Sequence, residues 1–381
     1  MWHPIAMHIR CLNSINEILP EVWDALAPKG YPFLRHVFLA ALENSGSVSL
    51  KRGWVPCHLV VENNDDSLQA LLPLYRKQHS WGEYVFDFQW AEAWARAGHE
   101  YYPKLSAAIP FSPVEGPRLI ARCIGSRDLI IQWLNNQLDS GEVSSAHILF
   151  NQGDENCALK HDGWVQRLGC QFHWFNRNYT SFADFLAVCN SRKRKNFRKE
   201  RAQVAARGID FEWLKGEEIN TASWERFYPF YAATYLKRGQ HPYLEAAFFK
   251  LLNAMSESLR LIFARVDGRD VAGAMFLVGD DTLYGRYWGC IEEYEHLHFE
   301  TCFYQGMDLC IAEGLSRFDA GAQGEQKLLR GFEPVLTQSW HKLQPRLHDV
   351  VADFLKTERD GVKAYQTDAA TYLPYRQDRA N

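Results

Sequence analysis

The stretch that most constrains this chain covers residues 295–335, EHLHFETCFYQGMDLCIAEGLSRFDAGAQGEQKLLRGFEPV. Phe299, Cys302, Phe303, Gly306 and Cys310 recur at steps of three and four, which places them on one face of a helix. Gly314 follows the last periodic residue, where a left-handed cap favours glycine. Residues 315–320 then read as a short strand. Residues 321–327, GAQGEQK, read as a loop with two glycines among acid, amide and amine side chains, and Arg330 and Gly331 close it. A helix feeding a strand that ends in such a loop is a common place for a site. The loop carries the chemistry and the flanking elements hold it still.

The rest of the chain supplies a frame for that stretch. At 381 residues the sequence is too long for one ordinary domain, and two are expected. The boundary falls near residues 176–180, giving an N-terminal domain over 1–176 and a C-terminal domain over 177–381. In the first half, residues 15–27 and 33–43 read as helices. A hairpin of strands at 57–62 and 68–75 follows, joined by an Asn-Asn-Asp-Asp turn. Residues 81–88 read as an aromatic strand and 89–97 as a helix. Proline-punctuated loops at 101–105 and 109–118 precede a helix at 126–138, a strand at 145–150, a short helix at 154–161 and a long strand at 165–176.

In the second half, Ser181 caps a helix that runs from 182 through the basic segment 192–201 to Gly208. A strand at 209–214, helices at 223–235 and 244–257, a hairpin at 260–266 and 271–278, and an aromatic strand at 283–289 lead into the opening stretch. Residues 342–381 are polar and read as a helix with a loose tail. Each half offers a hairpin, an aromatic segment with glycine (81–84 and 286–289) and then a helix. A mixed sheet flanked by helices in each half accounts for this order.

Charge and cysteine usage exclude some classes. A net charge of −4 argues against a protein coated in basic charge for duplex DNA, while leaving room for a local basic site. The nine cysteines are scattered and odd in number, with no Cys-x-x-Cys pair, which favours reduced thiols in a cytoplasm. The first residues, MWHPIAMHIRC, lack an apolar core of signal-peptide length. No apolar run approaches the roughly 20 residues of a membrane helix.

Gly53-Trp54-Val55-Pro56, residues 80–88, 101–105, 109–118, 297–300 and 321–334 together resemble one family. It is that of predicted bacterial N-acyltransferases related to the Fem-type peptidoglycan aminoacyltransferases, within the Gcn5-related acetyltransferase (GNAT) superfamily. The resemblance covers roughly residues 32–365. It implies an α/β fold of two tandem acetyltransferase-like domains, each a mixed sheet flanked by helices, with the site in the cleft between them. It also implies transfer of an acyl or aminoacyl group from an activated donor, aminoacyl-tRNA or acyl-CoA, to an amine acceptor. The setting is peptidoglycan-related or small-molecule metabolism, and no cofactor is held tightly. The superfamily's acyl-CoA loop reads Q/R-x-x-G-x-G/A. Residues 286–291, RYWGCI, match only its first half. The missing small residue is where backbone amides approach the pyrophosphate. Fem-type relatives also lack this loop and draw on aminoacyl-tRNA.

Acyl transfer to an amine needs a base, donors for the oxyanion and a slot that aligns the partners. Glu300 and Glu325 are candidate bases, and Lys327 or Arg330 a candidate oxyanion partner. The same acids could instead form a structural ion network with Lys327 and Arg330. His298, Tyr304 and Arg330 join Tyr287, Trp288, Trp81, Tyr102, Lys104 and Arg118 as candidate substrate contacts, although aromatics at alternating positions are more often core. Arg194, Lys195, Arg198 and Arg201 form either a phosphate-binding surface for a tRNA acceptor arm or a solvated helix exterior. The His-Leu-His-Phe-Glu run at 296–300 lacks the HExxH order and a cysteine pair, so no metal site is expected. The Walker spacing fails at Lys327. No cysteine sits in a nucleophile context, so attack on the carbonyl is expected to be direct. The alternative is a non-catalytic ligand- or RNA-binding protein on the same scaffold.

Overall fold

A computed structural model of the chain describes residues 7–153, 155–322 and 324–376. The expected helix start at Asp154, Gln323 of the glycine loop and the last residues of the expected tail lie outside the described residues. The chain divides into two compact units, Met1–Gly169 with Leu336–Lys363, and Cys170–Val335 with Ala364–Asn381.

The first unit contains strands β1 (Met7–Leu12), β2 (Trp54–Pro56), β3 (His58–Asn63), β4 (Leu68–Leu72), β5 (Tyr75–Lys77), β6 (Lys104–Ala107), β7 (Ile120–Ala121) and β8 (Ser145–Leu149). β1, β3, β4 and β7 form an antiparallel sheet, with the expected hairpin at β3–β4. β2, β5, β6 and β8 lie side by side, and the β6–β8 pair is parallel. Helix α1 (Phe88–Arg96) precedes β6, and helix α2 (Ile124–Asp139) makes the crossover between β6 and β8. Ile130, Leu134 and Leu138 recur on the face of α2 that meets Leu59, Val61, Ala70 and Leu72. Each such aliphatic side chain contributes about 1.5–3 kcal/mol when fully buried.

Four expectations change in this unit: the strand read over 68–75 divides into β4 and β5, which lie in different sheets, β6 begins within the segment read as a loop at 101–105, and two further segments take another course. Residues 81–87 form turns and bends rather than an aromatic strand. Gly82 and Tyr84 adopt left-handed backbone at φ 82° and 61°, and the reversals carry Glu83 and Asp87 inward to Lys104. The helix expected over 15–27 is broken, because Pro20 cannot continue a helix and instead starts a new short one, Pro20–Asp24.

In the second unit, β9 (Val165–Phe175, from Cys170 onward) is followed by helices α3 (Phe182–Val188) and α4 (Ser191–Ala205). The single helix expected here is two. Ser181 caps α3 as read from sequence, but Asn190 accepts from the Lys193 amide and starts a second helix. Strands β10 (Ile209–Lys215), β11 (Leu259–Val266), β12 (Arg269–Val278), β13 (Thr282–Cys290) and β14 (Arg317–Asp319) complete a sheet in the order β10-β11-β12-β13-β14-β9. Helix α5 (Thr221–Leu236) packs so closely on β13 that a Cβ at Gly289 would lie 1.7 Å from the Phe230 carbonyl oxygen.

The opening stretch forms α6, an α-helical turn Leu297–Phe299, a π-helical segment Glu300–Tyr304 and an α-helix Gln305–Glu313. Gly314 ends it in left-handed backbone at φ 67°, as expected. Gly306 leaves room for the Phe318 ring of β14. β13 and β14 are parallel, joined by α6, and the other pairings of this sheet are antiparallel. Each unit therefore carries one parallel strand pair bridged by a helix, β6-α2-β8 and β13-α6-β14.

The last strand, β15 (Glu333–Leu343), pairs with β8 through Ser339–Leu343, and helix α7 (Pro345–Ala370) follows. The expected loose tail instead packs on the second unit's core as far as Tyr375, whose hydroxyl donates to the Gly331 carbonyl at 2.7 Å. Among the described residues no helix is long and apolar enough to cross a membrane.

Candidate functional site in the second unit

β13 and β14 pair only from Thr282–Tyr284 to Arg317–Asp319. Beyond that point the two parallel strands part. Gly285, Arg286, Tyr287 and Trp288 on one side and Ala320 and Lys327 on the other line a cavity of about 160 Å³. His298, Cys302 and Phe303 of α6 close it, with Ala274, Met275 and Phe276 of β12.

A β-bulge shapes the opening. Met275 faces Tyr287 while Phe276 faces Gly285, so Arg286 is the extra residue on β13. A bulge re-aims its side chain. That of Arg286 reaches Asp319 at the end of β14, Nη2 to Oδ2 at 2.6 Å, with both side chains buried. Burial alone would raise the Asp319 pKa, but the Arg286 charge, with His173 and the Gly321 amide, holds it well below the usual carboxylate range. The pair clamps the strands where they separate.

Lys327 is 2% exposed. Among the described residues, the one hydrogen-bond partner of its ammonium is the Gly321 carbonyl. Burial pushes its pKa down to about 8, against the pull of Asp319 and with a further push from Arg286. The His298 ring stands at the rim, 5.3 Å from Trp288 and 5.2 Å from Phe303 by ring centroids. Its residue is exposed overall, yet the protein packed round the ring, helped by the Lys327 and Arg330 charges, lowers its pKa and keeps it neutral.

The glycine loop turns into a 3-10 segment, Glu325–Arg330, which sends its side chains to different places. Lys327 points into the cavity. Glu325 is exposed, accepts from the Tyr365 hydroxyl at 2.6 Å and lines a separate surface pocket with Leu328, Leu329 and Tyr372. Arg330 is buried 3.3 Å above the Phe299 ring and donates to both Glu200 oxygens at 2.9 Å. Tyr304 is buried and donates to the same carboxylate. These contacts pin the turn to α4 and α6.

Glu300 lies in the π-helical segment, a common feature of functional helices. It is 4% exposed, and burial raises its pKa against the Arg201 charge. Its carboxylate pairs with Arg201 at 3.0 Å and accepts from Gln305 at 2.9 Å, and it is not among the cavity's lining residues. Of the basic run, Lys195 and Arg198 are exposed and Arg194 is half-buried. Arg201 instead faces inward and pairs with Glu300 and with Asp308 at 2.7 Å.

The first unit holds the remaining sequence-chosen residues. Trp81 is 51% exposed. The half-buried Tyr102 meets the Ser80 hydroxyl at 2.9 Å. Lys104 is buried between Glu83 at 2.7 Å and Asp87 at 2.5 Å. Arg118 is buried and donates to the Tyr31 hydroxyl at 3.1 Å and to the carbonyls of Val114 and Pro117. Tyr287 and Trp288 line the second unit's cavity. Reading the sequence missed Asp319 and the clamp role of Arg286. An acid at the end of a short apolar strand, directly before a glycine loop, was the available signal. Among the described residues no three His, Cys, Asp or Glu side chains gather as a metal-ligand set.

Residues 14–377 match the FemAB_like family, described as peptidoglycan biosynthesis/recognition. The chain belongs to this family. Solved structures share its mixed α/β fold. The C-terminal domain of a putative lysylphosphatidylglycerol synthetase from Agrobacterium fabrum is 10% identical, with 84% of this chain and 90% of that chain covered and a TM-score of 0.50. A conserved protein of unknown function from Bacteroides thetaiotaomicron is 9% identical, covering 88% and 100%, with a TM-score of 0.51. FemX is 10% identical, covering 80% and 92%, with a TM-score of 0.49. At these identities the likeness is one of fold. No protein curated for its function matches the sequence.

Proposed function

We propose that this protein transfers an acyl or aminoacyl group from an activated carbonyl donor to an amine acceptor, and that the cavity between β13 and β14 holds the reacting carbonyl. The observation that carries this reading is Lys327, an amine buried in a cavity with one backbone carbonyl as its partner among the described residues. An ammonium so placed steadies negative charge developing on a carbonyl oxygen. The acceptor nitrogen attacks the carbonyl carbon and forms the new C–N bond. The donor's C–O or C–S bond breaks, and the leaving hydroxyl or thiol takes up a proton. His298, neutral at the rim, is the base for the proton that the amine gives up. The Arg286–Asp319 clamp fixes the mouth of the cavity.

The incomplete acyl-CoA loop at 286–291 and the exposed Lys195 and Arg198 favour aminoacyl-tRNA as the donor. The test offers purified protein both donors with amine acceptors and follows product. The proposal expects turnover that Lys327→Met removes. Donor binding without product, unchanged by Lys327→Met, would instead make the protein a binding module.

A further inference from the structure

We infer that the cavity between β13 and β14 is a binding site for a small carboxylate, with Lys327 as the anchor. The inference deepens the proposed transfer by naming the chemical class that the cavity selects.

Three observations meet here. First, the lining contains, among the described residues, Lys327 and Arg286 as its charged groups and no Asp or Glu. Arg286 is already neutralised by Asp319 at 2.6 Å. The charge left uncompensated is that of Lys327, from the turn that follows β14. Second, Lys327 is 2% exposed and spends one donor on the Gly321 carbonyl. An ammonium has three donors. Among the described residues no other acceptor meets the ammonium, so a ligand oxygen in the cavity can accept from it. Third, the remaining walls are apolar, from Met275, Phe276, Trp288 and Phe303. The volume of about 160 Å³ is close to that of cavities known to hold a benzene-sized group, roughly six non-hydrogen atoms.

A ligand with an anionic head and a short apolar body satisfies all three. A cationic side chain does not, because it would place like charge against Lys327. The side chain of the transferred group is therefore neutral or acidic, and a free acid binds as a probe of the same anchor. The groups facing Lys327 are Asp319 on β14, Arg286 on β13, His298 and Cys302 on α6 and His173 on β9. With Lys327 titrating near 8, carboxylate binding weakens as pH rises through that value.

The test is equilibrium binding to the full chain, read calorimetrically, with propanoate, benzoate, propanamide and propylamine as probes. The inference expects the two carboxylates to bind about tenfold or more tighter than propanamide, with propylamine weakest, in line with one charge-assisted contact. Lys327→Met erases the difference and Lys327→Arg keeps part of it. Equal binding of propanoate and propanamide to the wild-type protein overturns the inference, and that comparison needs no variant to fold. Carboxylate selectivity in a protein that turns over no donor would leave this site standing and remove the transferase reading. Turnover without carboxylate selectivity would do the reverse.

Discussion

Lys104 in the first unit and Lys327 in the second are both buried amines beside a parallel strand pair bridged by a helix, and they have opposite surroundings. Lys104 is enclosed by two carboxylates and the Ser80 hydroxyl, with the Tyr101 hydroxyl donating to Asp87 at 2.6 Å. Its pKa is raised, because Asp87 and Glu83 together outweigh the penalty of burial. Lys327 has a backbone carbonyl and an open cavity, and burial wins. The strands differ in step with this. Where β6 ends, the proline-rich segment after it closes back onto β8, with the Gly116 amide donating to the Phe150 carbonyl at 3.0 Å and the Gln152 amide to the Gly116 carbonyl at 2.9 Å. Where β13 and β14 part, no comparable backbone pairing closes the gap among the described residues. The same strand-helix-strand plan thus surrounds an ion-paired core in one unit and a cavity in the other. It is side chains, not topology, that separate the two roles.

The largest effect that would break this comparison lies in the first unit. Lys104→Met leaves Glu83 and Asp87 buried without their cation, and the expected loss is about 3–5 kcal/mol of stability. Denaturant unfolding followed by tryptophan fluorescence measures it. Lys327→Met removes an amine that burial already disfavours, so the same measurement should show stability unchanged or raised. If both variants lost stability equally, the two lysines would be doing the same structural work.

Turnover inverts the order. Loss of an oxyanion partner typically costs about 10²–10³ in kcat. Lys327→Met should fall in that range, and kcat/KM of the wild type should decline as pH rises through about 8, where the ammonium is lost. A rate that climbs through that pH would assign Lys327 to proton abstraction instead.

A third comparison concerns acid. His147 in the first unit and His173 in the second are both buried, with pKa values pushed down from 6.5 to about 3 and about 4. Burial is the leading cause in each case. A base whose pKa is lower folded than unfolded binds its proton more readily in the unfolded chain. Stability is therefore complete above about 6.5 and falls as pH drops toward 4. For His173 alone the loss is on the order of 3 kcal/mol. Stability profiles between pH 7 and pH 4 should steepen for the wild type and flatten for His173→Gln. Equal slopes in the two proteins would mean that other groups dominate the acid transition.

How far the sequence reveals these arrangements depends on the range of the contacts. The capped helix at 297–313, the hairpins and the Ser181 cap are legible, because periodicity and capping are settled within a few residues. The π-helical segment at Glu300–Tyr304 is not, since the apolar spacing reads as an ordinary helix and the wider turn shows only when Glu300 and Gln305 bond. Residues 81–88 look like a strand because aromatic residues favour strands. Their actual course follows from Lys104, some 20 residues on, drawing Glu83 and Asp87 inward. Lys327 was visible as part of a glycine loop. Which way it faces depends on the Arg330–Glu200 contact, 130 residues apart in the chain, which no local pattern encodes.

The smallest expected effect is the sharpest test of that geometry, because it compares two residues of one turn. Glu325 and Lys327 are two positions apart, but Glu325 bonds Tyr365 at the surface while Lys327 enters the cavity. Glu325→Ala removes one exposed hydrogen bond, worth about 0.5–1.5 kcal/mol or less in water. With the carboxylate outside the cavity, turnover should stay within about twofold of wild type, since exposed substitutions away from a site rarely exceed ±0.5 kcal/mol. A hundredfold loss would show that Glu325 reaches the reacting groups during turnover. The base would then belong to the turn itself rather than to His298, and the turn would have to reverse its present facing in the working complex.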